Sequence, residues 1–171
     1  MMDLKDFENR ILPSKQKLYR FACRLLGSDE EAKDLVQEVF IKVWDRRHEM
    51  DEVVNTEAWC MRVIRNMAYD KLRQKQRRPS NPLDATFDLE IETPDPHKHM
   101  ELSDNIKRVG QLIAALPEKQ KTAIHLRDVE GYSYNEISDI MGIDLNQVKT
   151  NLFRARNVIK EKLISINAYG L

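Results

Sequence analysis

Apolar residues recur every three to four positions over several long stretches of the chain, which is the spacing of one face of an α-helix. The clearest stretch follows Gly27, where Ser28 and Glu31 form a capping-box pattern that predicts a helix start. Its apolar stripe consists of Ala32, Leu35, Val36, Val39, Phe40, Val43 and Trp44. No alternating run rich in Val, Ile and Thr is present, so we expect an all-α protein.

Two further helices in the amino-terminal half follow the same rhythm. The helix before Gly27 has the apolar stripe Leu18, Phe21, Ala22 and Leu25. A later helix is predicted to begin near Thr56 and to run towards Arg77, with the stripe Cys60, Val63, Ile64, Met67, Ala68 and Leu72. Three amphipathic helices can bury a shared core without any sheet.

The helical pattern breaks over residues 79–101, which contain four of the six prolines and a strong excess of acidic residues. Proline removes a backbone donor and disfavours helix in the residue before it. We therefore predict a flexible acidic linker over 79–101, between one small helical domain at residues 1–78 and a second at residues 102–171.

The carboxy-terminal half contains a helix-turn-helix pattern. Ser133 and Glu136 form a capping box that opens a short helix through Met141, Gly142 supplies the turn, and Asp144 can cap the next helix. The inward positions of the pair are Ile137, Ile140, Ile143, Val148, Leu152, Ala155, Ile159 and Leu163. This spacing is typical of two helices joined at a steep angle.

The second helix of this pair is predicted to expose side chains that suit duplex DNA. They are Asn146, Gln147, Lys149, Thr150, Asn151, Arg154 and Arg156. Asn, Gln and Arg can pair with base edges, and Lys and Arg neutralise phosphates. The alternative is an ordinary helical hairpin with a solvated face.

The helix predicted from Thr56 has a basic face interleaved with aromatic residues. Its members are Trp59, Arg62, Arg65, Asn66, Tyr69, Arg73 and Arg77. Cations that follow a phosphate backbone and rings that stack on unpaired bases suit single-stranded nucleic acid. The alternative is that Trp59 packs under a neighbouring loop while the arginines are simply solvated.

Residues 29–57 have the opposite character, with ten acidic against four basic side chains, and this surface suits a protein partner better than DNA. The formal net charge of the whole chain is zero. Because affinity for DNA follows phosphate neutralisation, the chain alone should bind DNA weakly. A partner that supplies most of the affinity would resolve this conflict.

Several function classes find no support in the sequence. The apolar runs are too short for a membrane span, and the polar amino terminus is no secretory signal, so we expect a cytoplasmic protein. Cys23 and Cys60 are predicted to be reduced core thiols rather than a disulfide or metal ligands, and a zinc site at His97 and His99 is not expected. No phosphate-binding Gly loop, metal-ligand spacing or nucleophile–base pair indicates an enzyme or a cofactor.

Three segments together resemble the sigma factors of bacterial RNA polymerase, in the same order and with similar separation. DEEAKDLVQEVFIKVW (29–44) resembles the helix that binds the polymerase core, and AWCMRVIRNMAYDKLRQKQRR (58–78) resembles the promoter-melting helix that recognises the −10 element. Residues 116–163 resemble the domain that reads the −35 element as duplex. The short length and bare linker are similar to the extracytoplasmic-function group.

The resemblance implies three sets of site residues. The core polymerase-binding set is Asp34, Leu35, Gln37, Glu38, Phe40, Ile41 and Trp44. The −10 and melting set is the basic face from Trp59 to Arg77 given above, and the −35 set is the exposed face from Asn146 to Arg156.

The resemblance also implies partners: core RNA polymerase, promoter DNA as duplex and as melted single strand, and an anti-sigma factor. Two other hypotheses remain open at this point. A sigma-like decoy would bind an anti-sigma protein without directing transcription, although it would need neither basic helix. A free-standing repressor or activator would use the helix-turn-helix and leave the acidic and melting helices without a role.

Overall fold

The structure, a computed structural model, describes residues 1–77 and 96–168, with side chains for 1–77 and 104–167. These residues form two compact units, one mainly amino-terminal and one mainly carboxy-terminal. Over the described ranges the secondary structure consists of helices and turns, with no strand. The predicted all-α class with two helical domains is therefore confirmed.

The amino-terminal unit is built on three long helices. Its elements are α1 (Leu4–Arg10), a 3₁₀ turn (Leu12–Ser14), α2 (Lys15–Leu26), α3 (Asp29–Asp45), a second 3₁₀ turn (Met50–Glu52) and α4 (Thr56–Arg77). Helix α2 packs against both α3 and α4, and α3 also packs against α4. Each of the three long helices therefore contributes one apolar stripe to a common core.

The predicted helix boundaries in this unit are set by local chemistry. Gly27 ends α2 in the left-handed region at φ 66°, and its N–H donates to the Cys23 carbonyl at 2.8 Å. The Ser28 hydroxyl then accepts from the Glu31 N–H at 3.3 Å, which satisfies one orphan donor of α3. The predicted start of α3 and the predicted range of α4 are confirmed.

The core of this unit contains most of the predicted stripe residues. The completely buried ones include Leu18, Phe21, Ala22, Ala32, Leu35, Val39, Val43, Cys60, Ile64 and Ala68. The prediction differs in several details: Leu26 is buried where Leu25 was expected, Met61 joins the core, and Val63, Met67 and Leu72 are only half-buried. Helix periodicity fixes a stripe only to within one neighbouring position, because 3.6 residues per turn leaves two candidates at its edge.

The two cysteines are free and buried, as the sequence predicted. Burial raises the pKa of the Cys60 thiol to about 12, and it also raises the pKa of Cys23. Because the thiolate is the reactive form, both side chains behave as small core residues rather than as nucleophiles.

The carboxy-terminal unit consists of α5 (Pro96–Ala114), α6 (Glu118–Ile124), a π-helical turn (His125–Val129), α7 (Tyr134–Met141) and α8 (Leu145–Ala168). Helices α5 and α6 pack against each other and both pack against α8. Residues 79–95 of the predicted linker lie outside the described residues. Helix α5 begins at Pro96, inside the predicted linker. The N–H of the first helical position has no partner within the helix, so a proline, which lacks that N–H, is tolerated there.

Candidate functional site

Side-chain caps fix the helix-turn-helix at each of its corners. The Ser133 hydroxyl accepts from the Glu136 N–H at 3.1 Å, and the Glu136 carboxylate accepts from the Ser133 N–H at 2.7 Å. Gly142 makes the turn at φ 66°, and Asp144 then accepts from the Gln147 N–H at 2.8 Å. The predicted capping box, turn glycine and second cap are all confirmed.

Five of the eight predicted inward positions of α7 and α8 are buried. Ile137, Ile140, Val148, Leu152 and Ala155 are buried, whereas Ile143, Ile159 and Leu163 are half-buried. Burial of this stripe determines which side of α8 remains accessible to a partner.

The accessible side of α8 contains most of the residues predicted to contact duplex DNA. Asn146, Gln147, Lys149, Thr150 and Arg154 are exposed, and Asn151 is half-buried with its amide donating to the Gln147 carbonyl. Phe153, which the sequence analysis did not single out, is 67% exposed on the same helix. An exposed phenylalanine beside polar and basic residues is an apolar surface that can contact a thymine methyl group.

Arg156 differs from the other predicted contacts of α8 because it already has an acidic partner. Its Nη2 and Nε donate to the two Asp128 carboxylate oxygens at 2.6 and 3.1 Å. The pKa of Arg156 is raised because Asp128 accepts these hydrogen bonds. Paired geometry of this kind is the strongest form of arginine–carboxylate contact.

The basic face of α4 divides into an exposed row and a half-buried row. Arg62, Asn66, Arg73 and Arg77 are exposed, while Trp59, Arg65 and Tyr69 are half-buried. The Arg65 guanidinium lies 4.7 Å from the centre of the Tyr69 ring and donates to the Asn66 side chain at 3.2 Å. The predicted melting residues therefore support one another along one surface of the helix.

Ion pairs connect the basic helix α4 to the acidic helix α3. Lys75 lies 2.5 Å from the Glu31 carboxylate, and Lys71 lies 3.6 Å from the Glu38 carboxylate. Exposed pairs of this kind contribute about 0–1 kcal/mol each. They align the two helices but leave their side chains available to stronger partners.

The predicted polymerase face of α3 is accessible with one exception. Asp34, Gln37, Glu38 and Ile41 are exposed. Leu35 is completely buried because its position in the apolar stripe turns it towards the core, and its predicted contact with polymerase stays a prediction. Phe40 is half-buried and Trp44 is 37% exposed, although both were expected in the buried stripe.

An aromatic cluster explains why Phe40 and Trp44 lie at the edge of the core. The Phe7 ring of α1 contacts both rings edge-on, with centroid distances of 5.8 Å in each case. The Arg47 guanidinium lies 5.0 Å from the Trp44 ring centre. Periodicity within α3 could not reveal this cluster, because Phe7 comes from a different helix.

A cleft of about 520 Å³ lies beside this cluster, between α2 and α3. It is lined by Leu12, Lys15, Gln16, Tyr19, Lys33, Val36, Gln37 and Phe40. Tyr19 donates to Asp29, which also pairs with Lys33 at 2.8 Å. The cleft therefore brings Gln37 and Phe40 of the predicted polymerase face together with side chains of α2 that the sequence analysis did not single out.

Residues 1–77 and 96–168 lack two kinds of feature. No cluster of His, Cys, Asp and Glu there could hold a metal ion. No helix there is long and apolar enough to cross a membrane.

Both halves of the chain match known protein families. Residues 12–78 match the model of Sigma-70 region 2, and residues 106–158 match that of Sigma-70 region 4. The chain is 31% identical to the ECF RNA polymerase sigma factor SigW of Bacillus subtilis, over 87% of this chain and 84% of that protein. The chain belongs to the extracytoplasmic-function sigma factors. It is also 30% identical to the sigma factor SigE of Mycolicibacterium smegmatis, over 86% of this chain and 57% of that protein.

A solved structure agrees with the family assignment of this sigma factor. It contains the sigma factor RpoE of Bartonella quintana with the anti-sigma factor NepR, and it matches with a TM-score of 0.71 and 27% identity. The match covers 94% of this chain and 98% of that one. The resemblance inferred from three segments is thus confirmed: the protein is a factor for promoter-specific transcription initiation, with a DNA-binding helix-turn-helix.

The left-handed conformation of Gly142 in the turn can be tested by substituting alanine at two glycines. In Gly142→Ala, a Cβ at φ 66° should destabilise the carboxy-terminal unit by about 1 kcal/mol. In Gly110→Ala, within α5, the change should stabilise it by about 0.5–1 kcal/mol. Neither added Cβ meets an atom within 4 Å, so backbone conformation alone separates the two variants.

Thermal unfolding followed by circular dichroism, with hydrogen exchange of α7 and α8, measures both effects. Shifts of the same sign in the two variants would contradict the assignment of a left-handed turn at Gly142.

Proposed function

We propose that this sigma factor divides promoter recognition among three exposed helix faces: α3 for core RNA polymerase, α4 for melted −10 DNA and α8 for −35 duplex. The observation that carries the proposal is the opposite charge of two neighbouring faces within one packed unit. Acidic side chains project from α3, basic and aromatic ones from α4, and buried stripes hold the two helices in fixed rotation.

The α3 face suits a protein partner because it combines charge with exposed apolar surface. Asp34, Gln37 and Glu38 offer acceptors and a donor, while Ile41 is 60% exposed and Trp44 is 37% exposed. Interfaces are enriched in aromatic anchors surrounded by polar residues, and the Phe7-supported Trp44 fits that pattern. Contact with polymerase would cover apolar surface that is otherwise exposed to water.

The α4 face suits unpaired DNA because its cations and rings share one surface. Arg62, Arg73 and Arg77 can neutralise successive phosphates, and the half-buried rings of Trp59 and Tyr69 lie on the same side of the helix as these cations. Each stacked base contributes about 1–3 kcal/mol. An isolated duplex offers no unpaired base, so this surface acts only after melting begins.

The α8 face suits the major groove because it is a single exposed helix preceded by a capped turn. Arg154 and Thr150 lie on its accessible side together with Asn146. The net charge of the chain is zero, so specific binding requires the polymerase to hold both units near the promoter.

The same faces fit control by an anti-sigma factor. The Bartonella quintana relative was solved with one, and a partner that covers α3 would compete directly with polymerase. We further propose that the protein acts in the cytoplasm, where RNA polymerase is, and that it has no catalytic activity of its own. The chemistry of RNA synthesis belongs to the polymerase.

The decisive experiment is transcription reconstituted from the full chain and core polymerase on genomic fragments selected by start-site mapping. We expect discrete start sites that depend on the added chain. The absence of any chain-dependent transcript from every mapped fragment would overturn the proposed function.

The role of α4 is tested by Arg62→Glu, which reverses the charge of an exposed residue in its basic face. At saturating polymerase we expect promoter opening, measured by permanganate reactivity of unpaired thymines, to fall about tenfold because a phosphate contact becomes repulsive. Lys5→Glu makes the same charge change on an exposed residue of α1 and should leave opening near the wild-type level. Equal losses in the two variants would count against a specific role for α4.

The role of α3 is tested by Asp34→Lys in a binding assay between the labelled chain and core polymerase. We expect about tenfold weaker binding, or about 1.4 kcal/mol, because a complementary charge becomes repulsive at the interface. Asp104→Lys places the same change on an exposed residue of α5 and serves as the control. Wild-type affinity in Asp34→Lys would place the polymerase contact elsewhere.

A further inference from the structure

The π-helical turn at residues 125–129 lies directly before the helix-turn-helix and contains one residue more than a turn of α-helix. The Glu130 N–H donates to the His125 carbonyl at 3.0 Å, five positions back, instead of the four of an α-helix. His125 and Leu126 are buried and anchor the turn. Single π turns are uncommon and occur frequently at functional sites, so this one calls for a reason.

Consecutive side chains of this turn connect to both helices of the helix-turn-helix. Arg127 donates to the Tyr132 carbonyl at 2.8 Å and lies 5.0 Å from the Tyr134 ring centre, at the start of α7. Asp128 accepts both hydrogen bonds from Arg156 on α8. The turn therefore joins the entry of the first helix to the side of the second.

The position of Arg156 around α8 shows what this connection controls. Successive residues of an α-helix lie about 100° apart, so Arg156 is about 200° from Arg154. By the same rotation, Arg154 lies about 130° from the centre of the buried stripe of Val148, Leu152 and Ala155, and Arg156 lies about 70° from it on the other side. The two arginines therefore cannot both face the same DNA groove. Arg156, the nearer of the two to the buried stripe, is held by Asp128.

We propose that Asp128 is a positioning residue for promoter recognition: through its paired hydrogen bonds to Arg156 it fixes the rotation of α8 and thereby the side chains presented to duplex DNA. This inference rests on the proposed function of α8. It assigns Arg156 to bracing rather than to base contact, and it gives the widened turn a purpose. If residues 125–129 had ordinary α-helical geometry, Asp128 would lie on a different side of the helix.

The test uses polymerase reconstituted with the full chain and a mapped promoter fragment, with its −35 element either native or scrambled. The measured quantity is the ratio of the two affinities. In Asp128→Asn we expect this ratio to fall about fivefold, the scale of a well-formed exposed ion pair. Asp139→Asn makes the same chemical change on an exposed residue of α7 and should keep the wild-type ratio.

Two further measurements distinguish a positioning role of Asp128 from a general loss of DNA affinity. Arg156→Gln and the double variant should lose the same factor as Asp128→Asn, because all three break one pair. In Asp128→Asn the released Arg156 can neutralise a phosphate, so the slope of log affinity against log salt should steepen by about one. Asp128→Glu, which keeps the carboxylate, should restore most of the ratio.

The outcomes separate the inference from the function on which it rests. A wild-type ratio and salt slope in Asp128→Asn would overturn the positioning role while leaving the function intact. A far larger loss in Arg156→Gln than in Asp128→Asn would also overturn it, since Arg156 would then contact DNA itself. If the wild-type complex failed to distinguish the two fragments, the proposed −35 recognition would fail first.

Discussion

Burial of one apolar stripe per helix is the constraint on which the rest of this structure depends. Once the stripes of α2, α3 and α4 are buried, the rotation of each helix is fixed, and its opposite face is fixed with it. The acidic face of α3 and the basic face of α4 then lie on neighbouring helices, joined by pairs such as Lys75–Glu31. The chemistry of each surface is thus a consequence of packing in the interior.

Much of the fold was predictable because its signals are local. Ser28, Gly27, Gly142 and Asp144 act through backbone groups within a few residues of themselves, so their roles can be read directly from sequence. Exposure on a helix face follows equally from a repeat of 3.6 residues. These two kinds of signal gave the helix boundaries, the helix-turn-helix and most of the exposed site residues.

The features that were missed depend on contacts between distant parts of the chain. Phe7 and Trp44 meet only because α1 folds against α3, and no periodicity within either helix marks the contact. Likewise, Asp128 lies within a π turn that shifts the helical register, and it pairs with Arg156, 28 residues along the chain, so spacing along the sequence cannot place them together. Such contacts modify which of the exposed residues are available, although they leave the location of each face unchanged.

A chain of zero net charge that reads DNA must keep its charges apart without letting them bind one another too strongly. The ion pairs between α3 and α4 meet this requirement because each is a single lysine–carboxylate contact at the surface, which contributes about 0–1 kcal/mol. The pair between Asp128 and Arg156 has two hydrogen bonds instead of one, which makes it harder to exchange. The pair on α8 is as exposed as the pairs between α3 and α4, so its second hydrogen bond, and not burial, is what sets it apart.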